Sequence, residues 1–312
     1  MNSCLQFSDS PYTAFMQETK VDLPNGIQLH VEIGGAESAP VILLIMGLGA
    51  QLLFWPDFFC KSLIDQGYRV IRFDNRDIGL SSKIRHRGPR LNTVKLMSRF
   101  ALGLENQGAP YSLYDMADDV ALMLEQLNVT QSYVIGASMG GMIAQILAAR
   151  YPEKVTKLGL LFTSNNQPLL PPPFPKQLFS LIGKPESQDE DGIVNHSLKL
   201  FKLIGSPGYL NQVEAVQTAR KLYRRSYYPA GVLQQFLAIL CTGSLFKLDK
   251  TIQQPTLVLH GSKDRLLPPR HGKAVAKAIT GAKFELIDGM GHDIPPHFIP
   301  YLSGLFADHF KS

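Results

Sequence analysis

Apolar residues in this 312-residue chain come in short, nearly unbroken runs separated by stretches of mixed polarity. The clearest runs are PVILLIMG (40–47), YRVIRFDN (68–75), SYVIGAS (132–138), KLGLLFTS (157–164) and PTLVLHG (255–261). Near-continuous Val, Ile and Leu over this length mark strands covered on both faces. Between them the period becomes helical. At 113–127, Leu113, Met116, Val120, Met123, Leu124 and Leu127 share one face of a 3.6-residue repeat, with Ser112 as N-cap and Asp115 three residues on. Strand and helix alternate, which predicts an α/β chain with a mostly parallel sheet and helices on both faces. Ahead of this, KVDLPNGIQLHVEIGG (20–35) reads as two antiparallel strands around a Pro-Asn-Gly turn.

The alternation stops after residue 164. NNQPLLPPPFP (165–175) is too rich in proline for regular structure, and about 80 residues of helical character follow before strands resume. Within them, 213–223 and 232–240 read as helices. The expectation is a core of residues 1–164 and 251–312 with a helical cap, or lid, at 165–250.

Gly136-Ala137-Ser138-Met139-Gly140 follows one of the buried runs and opens the helical stretch MIAQILAARYP. A tight strand-to-helix turn strains its central residue and brings its flanks together, so only small neighbours fit, and it lifts the serine hydroxyl above the sheet edge. The pentapeptide alone arises by composition in roughly one chain in ten of this length. It also fits a glycine-rich turn with a capping serine. A serine nucleophile needs a base, and the base needs a third group to orient it. HGSKDRLLPP (260–269) supplies Asp264 and FELIDGMGHDIPP (284–296) supplies His292, each just beyond a strand-like run. Parallel strands share their C-terminal ends, so both loops should open beside Ser138. Singly, Asp264 could cap the next helix and His292 could satisfy a local turn. Asp288 and Asp293 compete for the acid role, while His260 at the strand end and His297 at a helix start read as structural. An oxyanion needs waiting donors; the candidates are the Met139 N–H and the Leu48 N–H in Met46-Gly47-Leu48-Gly49, a loop that also fits a plain βα turn.

Composition narrows the alternatives. Hydrophobic residues make up 45% of the chain, enough for a large core, and 31 basic against 26 acidic residues leave a mild excess of +5. The basic runs 83–90 and 220–225 read as solvated faces, so no nucleic-acid partner is expected. Cys4, Cys60 and Cys241 lie far apart without a C-x-x-C, which predicts neither disulfides nor a thiolate metal site and suits a reducing compartment. The N-terminus lacks a basic-then-apolar signal, and the longest apolar stretch, 41–55, is shorter than the roughly 18–20 residues of a membrane span. A cytoplasmic protein without membrane insertion is expected. No G-x-G-x-x-G after a first strand, no P-loop and no H-E-x-x-H is present, so no cofactor and no metal are called for. The oligomeric state stays open, a homo-oligomer included.

IMGLGAQLLFWPDFF and VIRFDNRDIGLSS (45–82), together with GASMGGMIAQ, resemble the α/β-hydrolase fold, and in particular its aclacinomycin methylesterase-like branch. The resemblance runs from the hairpin at 20 to a terminal helix at 297–311. It implies Ser138 as nucleophile, Asp264 as acid, His292 as base, and Leu48 with Met139 as oxyanion donors. Two departures stand out. Many relatives carry His-Gly where this chain has Met46-Gly47, so the oxyanion loop must be braced by something else. FDNRDIGLSS departs from a D-x-R-G-x-G-x-S pattern at Asp77, and Asp74 and Arg76 read as structural. Serine at 138 argues against haloalkane dehalogenases and epoxide hydrolases, which use a carboxylate there.

The expected activity is hydrolysis of a small-molecule carboxylic ester, apolar or aromatic, through an acyl-enzyme. Phe54 and Trp55 are expected to bind substrate, although both could equally be core. An acyltransferase using the same triad and a non-catalytic binding module remain as alternatives, and ester, thioester, lactone and amide are not distinguished.

Overall fold

In the computed structural model, residues 5–85 and 91–312 are described. Cys4 and residues 86–90 of the first basic run lie outside them. The strands are β1 (Ser8–Asp9), β2 (Gln17–Asp22), β3 (Gln28–Gly34), β4 (Val41–Ile45), β5 (Arg69–Phe73), β6 (Ser132–Ala137), β7 (Val155–Leu161), β8 (Thr256–Gly261) and β9 (Lys283–Ile287). They form one sheet in the order β1-β2-β3-β5-β4-β6-β7-β8-β9. The first three strands and the β3–β5 pair are antiparallel, and every pairing from β5 to β9 is parallel. Each apolar run of the sequence thus contains a strand, and the C-terminal ends of β4, β6, β8 and β9 open on one edge.

The helices are α1 (Asp57–Asp65), α2 (Thr93–Ala101), α3 (Leu113–Gln126), α4 (Met139–Arg150), α5 (Pro175–Ile182), α6 (Glu190–Ile204), α7 (Gln212–Arg225), α8 (Pro229–Thr242), α9 (Phe246–Asp249), α10 (Arg270–Ala278) and α11 (Ile299–Lys311). Helices α5–α8 form an insertion between β7 and β8. α3 begins on the expected cap: Ser112 and Asp115 exchange both bonds of a capping box. In β4, Leu43 and Ile45 belong to the apolar layer shared with α3 and α4, whereas Ile42 and Leu44 belong to the layer of α1 and α11. Burial on both faces is why this run shows no polar alternation. α4 is buried from Met139 to Ala148, and apart from Gln145, which donates to the Gly141 and Ser164 carbonyls, its buried residues are apolar. No helix of the described residues is long and apolar enough to cross a membrane.

Charges are buried within this frame as well. Arg72 on β5, wholly inaccessible, donates from Nε (3.0 Å) and Nη2 (2.7 Å) to Glu32 on β3 and from Nη1 to the Trp55 carbonyl (2.7 Å). It ties the antiparallel start of the sheet to the entry of α1. Asp77, the departure from the glycine pattern, has φ 72°, a conformation that favours glycine. Its carboxylate compensates by accepting from Tyr111 Oη and the Ile84 N–H, both at 2.6 Å.

Asp249 in α9 is fully buried, and neither carboxyl oxygen lies within hydrogen-bonding geometry of a donor, the nearby Asn165 amide included. Burial pushes this carboxyl up to about 7, with the Asn165 amide working against it. The folded state therefore holds the proton more tightly than the unfolded chain, and stability present at acid pH is lost as pH rises from about 4 through about 7. Asp249→Asn should abolish this slope and stabilise the protein by roughly 4 kcal/mol at pH 8, since each tenfold difference in proton affinity between the folded and unfolded chain is worth about 1.4 kcal/mol. Urea denaturation of both proteins at pH 5 and pH 8 measures it; a variant as pH-dependent as wild type would contradict it.

Candidate active site

The turn after β6 meets the demands of its sequence. Ser138 sits at φ 54°, ψ −122°, and its backbone is fixed on both sides. Its N–H donates to the Leu161 carbonyl (3.0 Å), and its carbonyl accepts from Gly141 N–H (2.9 Å) and Thr163 Oγ1 (2.6 Å). The flanking glycines are required by contact. A Cβ on Gly140 would lie 2.0 Å from the Ile45 carbonyl oxygen, and one on Gly136 would lie 2.4 Å from that of Gly140. On the facing loop, a Cβ on Gly47 would lie 2.9 Å from Ser138 Cβ. Ser138 makes no capping bond to α4, so its hydroxyl is free for another partner.

That partner is His292. Its Nε2 lies 2.9 Å from Ser138 Oγ, and its Nδ1 lies 2.7 Å from Asp264 Oδ2. The loops after β6, β8 and β9 thus bring together the three residues that the sequence pattern singles out. Asp264 Oδ1 accepts from the Leu266 (2.9 Å) and Leu267 (2.8 Å) N–H groups, which leaves Oδ2 for the imidazole. It does not cap α10, which starts at Arg270. Burial by itself would raise the Asp264 carboxyl. The charge of His292 and hydrogen bonds from His260 and His292 outweigh that effect and hold it at about 2. An ionised carboxylate only accepts, so Nδ1 of His292 carries a proton in either charge state, and in the neutral imidazole Nε2 presents its lone pair to the hydroxyl. Phe162 packs over the imidazole, ring centroids 4.6 Å apart.

The competing acids are engaged elsewhere. Asp288 accepts from Ser262 Oγ, and Asp293 accepts from the N–H and Oγ of Ser206. His260 donates through Nε2 to the Leu267 carbonyl (2.7 Å), with Asp264 Oδ2 3.3 Å away. His297 stacks on Tyr209.

Met139 is the first residue of α4, where backbone N–H groups lack helical partners. The loop carrying Leu48 is braced at several points. Asn75 Nδ2 donates to the Met46 carbonyl (2.9 Å), and Asp74 Oδ1 accepts the Leu52 N–H (2.8 Å). From the insertion, Gln235 Oε1 accepts the Gly49 N–H (2.9 Å) while its Nε2 donates to the Arg76 carbonyl (2.9 Å). Gln51 Nε2 donates to the carbonyls of Leu222 (2.8 Å) and Ser226 (2.9 Å). Arg225 Nη1 reaches both Gln51 Oε1 and Asp74 Oδ2, each at 2.7 Å, in a pair with no solvent access. Asp74 and Arg76 are structural: Asp74 gathers this loop, and Arg76 makes a two-pronged pair with Asp119 on α3, each contact 2.6 Å.

Comparison with known proteins bears on the fold and the family. The profile of the alpha/beta hydrolase fold matches residues 40–296. The chain belongs to the α/β-hydrolase family. A rhodomycin D methylesterase of Streptomyces peucetius is 26% identical over 290 residues, covering 84% of this chain and 88% of that protein. A poly(3-hydroxyalkanoate) depolymerase of Ectopseudomonas oleovorans is 33% identical over 275 residues, covering 87% and 84%. The crystal structure of an enol-lactonase from Burkholderia xenovorans superposes with a TM-score of 0.71 at 19% identity, covering 94% of this chain and all of that one. At that identity the likeness concerns the fold.

Within this α/β-hydrolase, the neighbouring aromatics divide. Phe54 is half-buried and packs edge-on against Phe201 of α6, at 5.8 Å. Trp55 is corrected: it is completely buried in the α1–α11 layer, stacked on Phe59 at 5.5 Å, and has no surface for a substrate. Glu18, His30 and Glu32 lie close enough together to share an ion. Glu32, however, already receives Arg72, and a guanidinium so placed repels a metal cation. Sequence reasoning missed Gln235 and Arg225. The available signal was polarity on the buried faces of α7 and α8, where both side chains sit among Ala219, Leu222, Phe236 and Leu237.

Removing one partner of a buried pair strands the other charge. Arg225→Met should therefore cost about 3–5 kcal/mol of unfolding free energy in urea; a loss below ~1 kcal/mol would mean that the pair does not hold the insertion to the loop.

Proposed function

We propose that this α/β-hydrolase cleaves carboxylic esters through a Ser138 acyl-enzyme. The observation that carries the reading is the unbroken line from Asp264 Oδ2 through His292 to Ser138 Oγ. His292 Nε2 takes the hydroxyl proton as Oγ attacks the ester carbonyl, and Asp264 steadies the imidazolium that forms. The carbonyl oxygen becomes an oxyanion, met by the N–H groups of Met139 and Leu48. His292 then passes its proton to the leaving alkoxide, water repeats the sequence in reverse, and the acid departs.

Ester chemistry is favoured because one relative is named a rhodomycin D methylesterase, and the other is named for depolymerising a poly(3-hydroxyalkanoate). An apolar substrate is favoured by the half-buried Leu48 and Phe54 beside the loop. Residues 165–250 act as the cap over that substrate, and Gln235 positions the oxyanion loop in the role that histidine has in many relatives.

Ser138→Ala should lower kcat by about 10⁴–10⁶ and abolish labelling by a fluorophosphonate; a variant turning over p-nitrophenyl acetate at the wild-type rate would refute the mechanism. Gln235→Met removes both hydrogen bonds at similar volume. It should reduce kcat about 10–100-fold while KM changes little, since the donor it orients acts on the transition state. Steady-state kinetics that show a loss confined to KM would take Gln235 out of this role.

A further inference from the structure

Apolar side chains left in water are concentrated on one part of the surface. Fourteen large apolar residues are exposed among the described residues, and six of them fall in 94–104 and 169–179: Val94, Leu102, Leu104, Leu169, Phe174 and Phe179. Leu169 is 88% exposed, Leu102 67% and Phe179 66%. The two segments adjoin in space. Gly103 abuts Pro168, where an added Cβ would come within 2.5 Å. The inner faces of α2 (Met97, Phe100) and α5 (Leu178, Ile182) pack on one cluster of Leu96, Phe236, Leu237 and Leu240, which Leu48 also joins. Phe174 continues the patch into a cleft of about 470 Å³ lined by Pro171–Pro175, Pro268 and Pro269. Clustered exposure of this kind marks an interaction surface, whereas scattered apolar residues do not.

Cations predominate around it, with the exposed Glu105 at its edge beside Leu104. Residues 91–104 and 165–184 contain Lys95, Arg99, Lys176 and Lys184 and no Asp or Glu. Arg270 and Lys273 line the cleft beside Phe174. None of these six cations forms an ion pair among the described residues; Arg99 bonds only to the Glu105 carbonyl and the Asn106 amide oxygen. A second copy of the chain meeting this face across a twofold axis would set cations against cations. An anionic lipid surface offers the complement on both counts, phosphate headgroups for the cations and acyl chains for the leucines and phenylalanines.

We propose that α2, α5 and the 168–174 loop form an interfacial docking face by which the protein sits on anionic phospholipid without spanning it. The face lies on the outer side of the cluster that Leu48 joins, so docking would set the apolar cap against the lipid, and the proposal does not depend on the chemistry assigned to Ser138.

The full-length protein is to be cosedimented with phosphatidylcholine vesicles, with and without phosphatidylglycerol. Binding is expected to the phosphatidylglycerol-containing vesicles, to weaken roughly fivefold for each cation lost in Lys95→Gln and Lys176→Gln, and to fall with added salt. Leu102→Ser combined with Phe179→Ser should weaken binding by about tenfold or more. Its melting temperature and its rate on soluble p-nitrophenyl acetate should stay at the wild-type values, because both residues are exposed. Failure to pellet with the anionic vesicles, equal binding to pure phosphatidylcholine, or undiminished binding by the serine variant would each overturn the proposal. So would a dimer in sedimentation velocity that the serine variant dissociates, since the face would then belong to a second copy.

Discussion

A non-glycine residue held at φ 54° between a buried strand and a buried helix constrains everything around it. Such a conformation costs about 1–3 kcal/mol and persists only where its neighbours over-determine it. Here they do. The Leu161 carbonyl and Thr163 hydroxyl hold the peptide groups of Ser138, and α4, buried from Met139 to Ala148, locks the following residues against the sheet. The close contacts of Gly136, Gly140 and Gly47 follow from the same turn, since each sits where a side chain would strike backbone or Ser138 itself. The hydroxyl consequently projects toward His292 with no rotameric choice consumed by capping.

The insertion contributes rigidity at the same edge. The Ile204 carbonyl accepts the His292 N–H (2.8 Å), and Ser206 Oγ accepts the Gly291 N–H (2.8 Å), so the end of α6 grips the histidine loop. Arg225 and Gln235, from α7 and α8, grip the loop that carries Leu48. Both loops on which the proposed chemistry depends are therefore clamped by residues outside the sheet core. The Arg225 and Ser206 bonds are buried, where an unpaired donor or acceptor is expensive, so they resist independent movement of the insertion more than an apolar contact would. The missing histidine at position 46 fits this arrangement: Asn75 holds the Met46 carbonyl from below while Gln235 holds Gly49 from above.

How much of this the chain reveals on its own depends on the range of the interaction. The strands at 41–45 and 132–137, the capping box at Ser112 and the glycine-boxed turn at Ser138 are short-range patterns, and the structure has them where the sequence puts them. The nearness of Asp264 and His292 to Ser138 is legible for a different reason: parallel strands place all their following loops on one edge, so topology does the work of contact. Trp55 and Phe54 show the limit. They are adjacent and alike in polarity, yet one lies inside the α1–α11 layer and the other against the insertion, a division that depends on how distant helices pack.

The amino-acid sequence by itself determined the alternation of buried strands and helices, the tight turn at 136–140 and the sheet edge on which the three candidate residues open, because periodicity and steric small-residue requirements act within a few positions. Only the tertiary structure decided which loop-bracing partners complete that edge. Gln235 meets Gly49 across 186 residues and Arg225 meets Gln51 across 174. A hydrogen bond of that span leaves no periodic trace in the chain, since its geometry exists only once the insertion has folded back over the sheet.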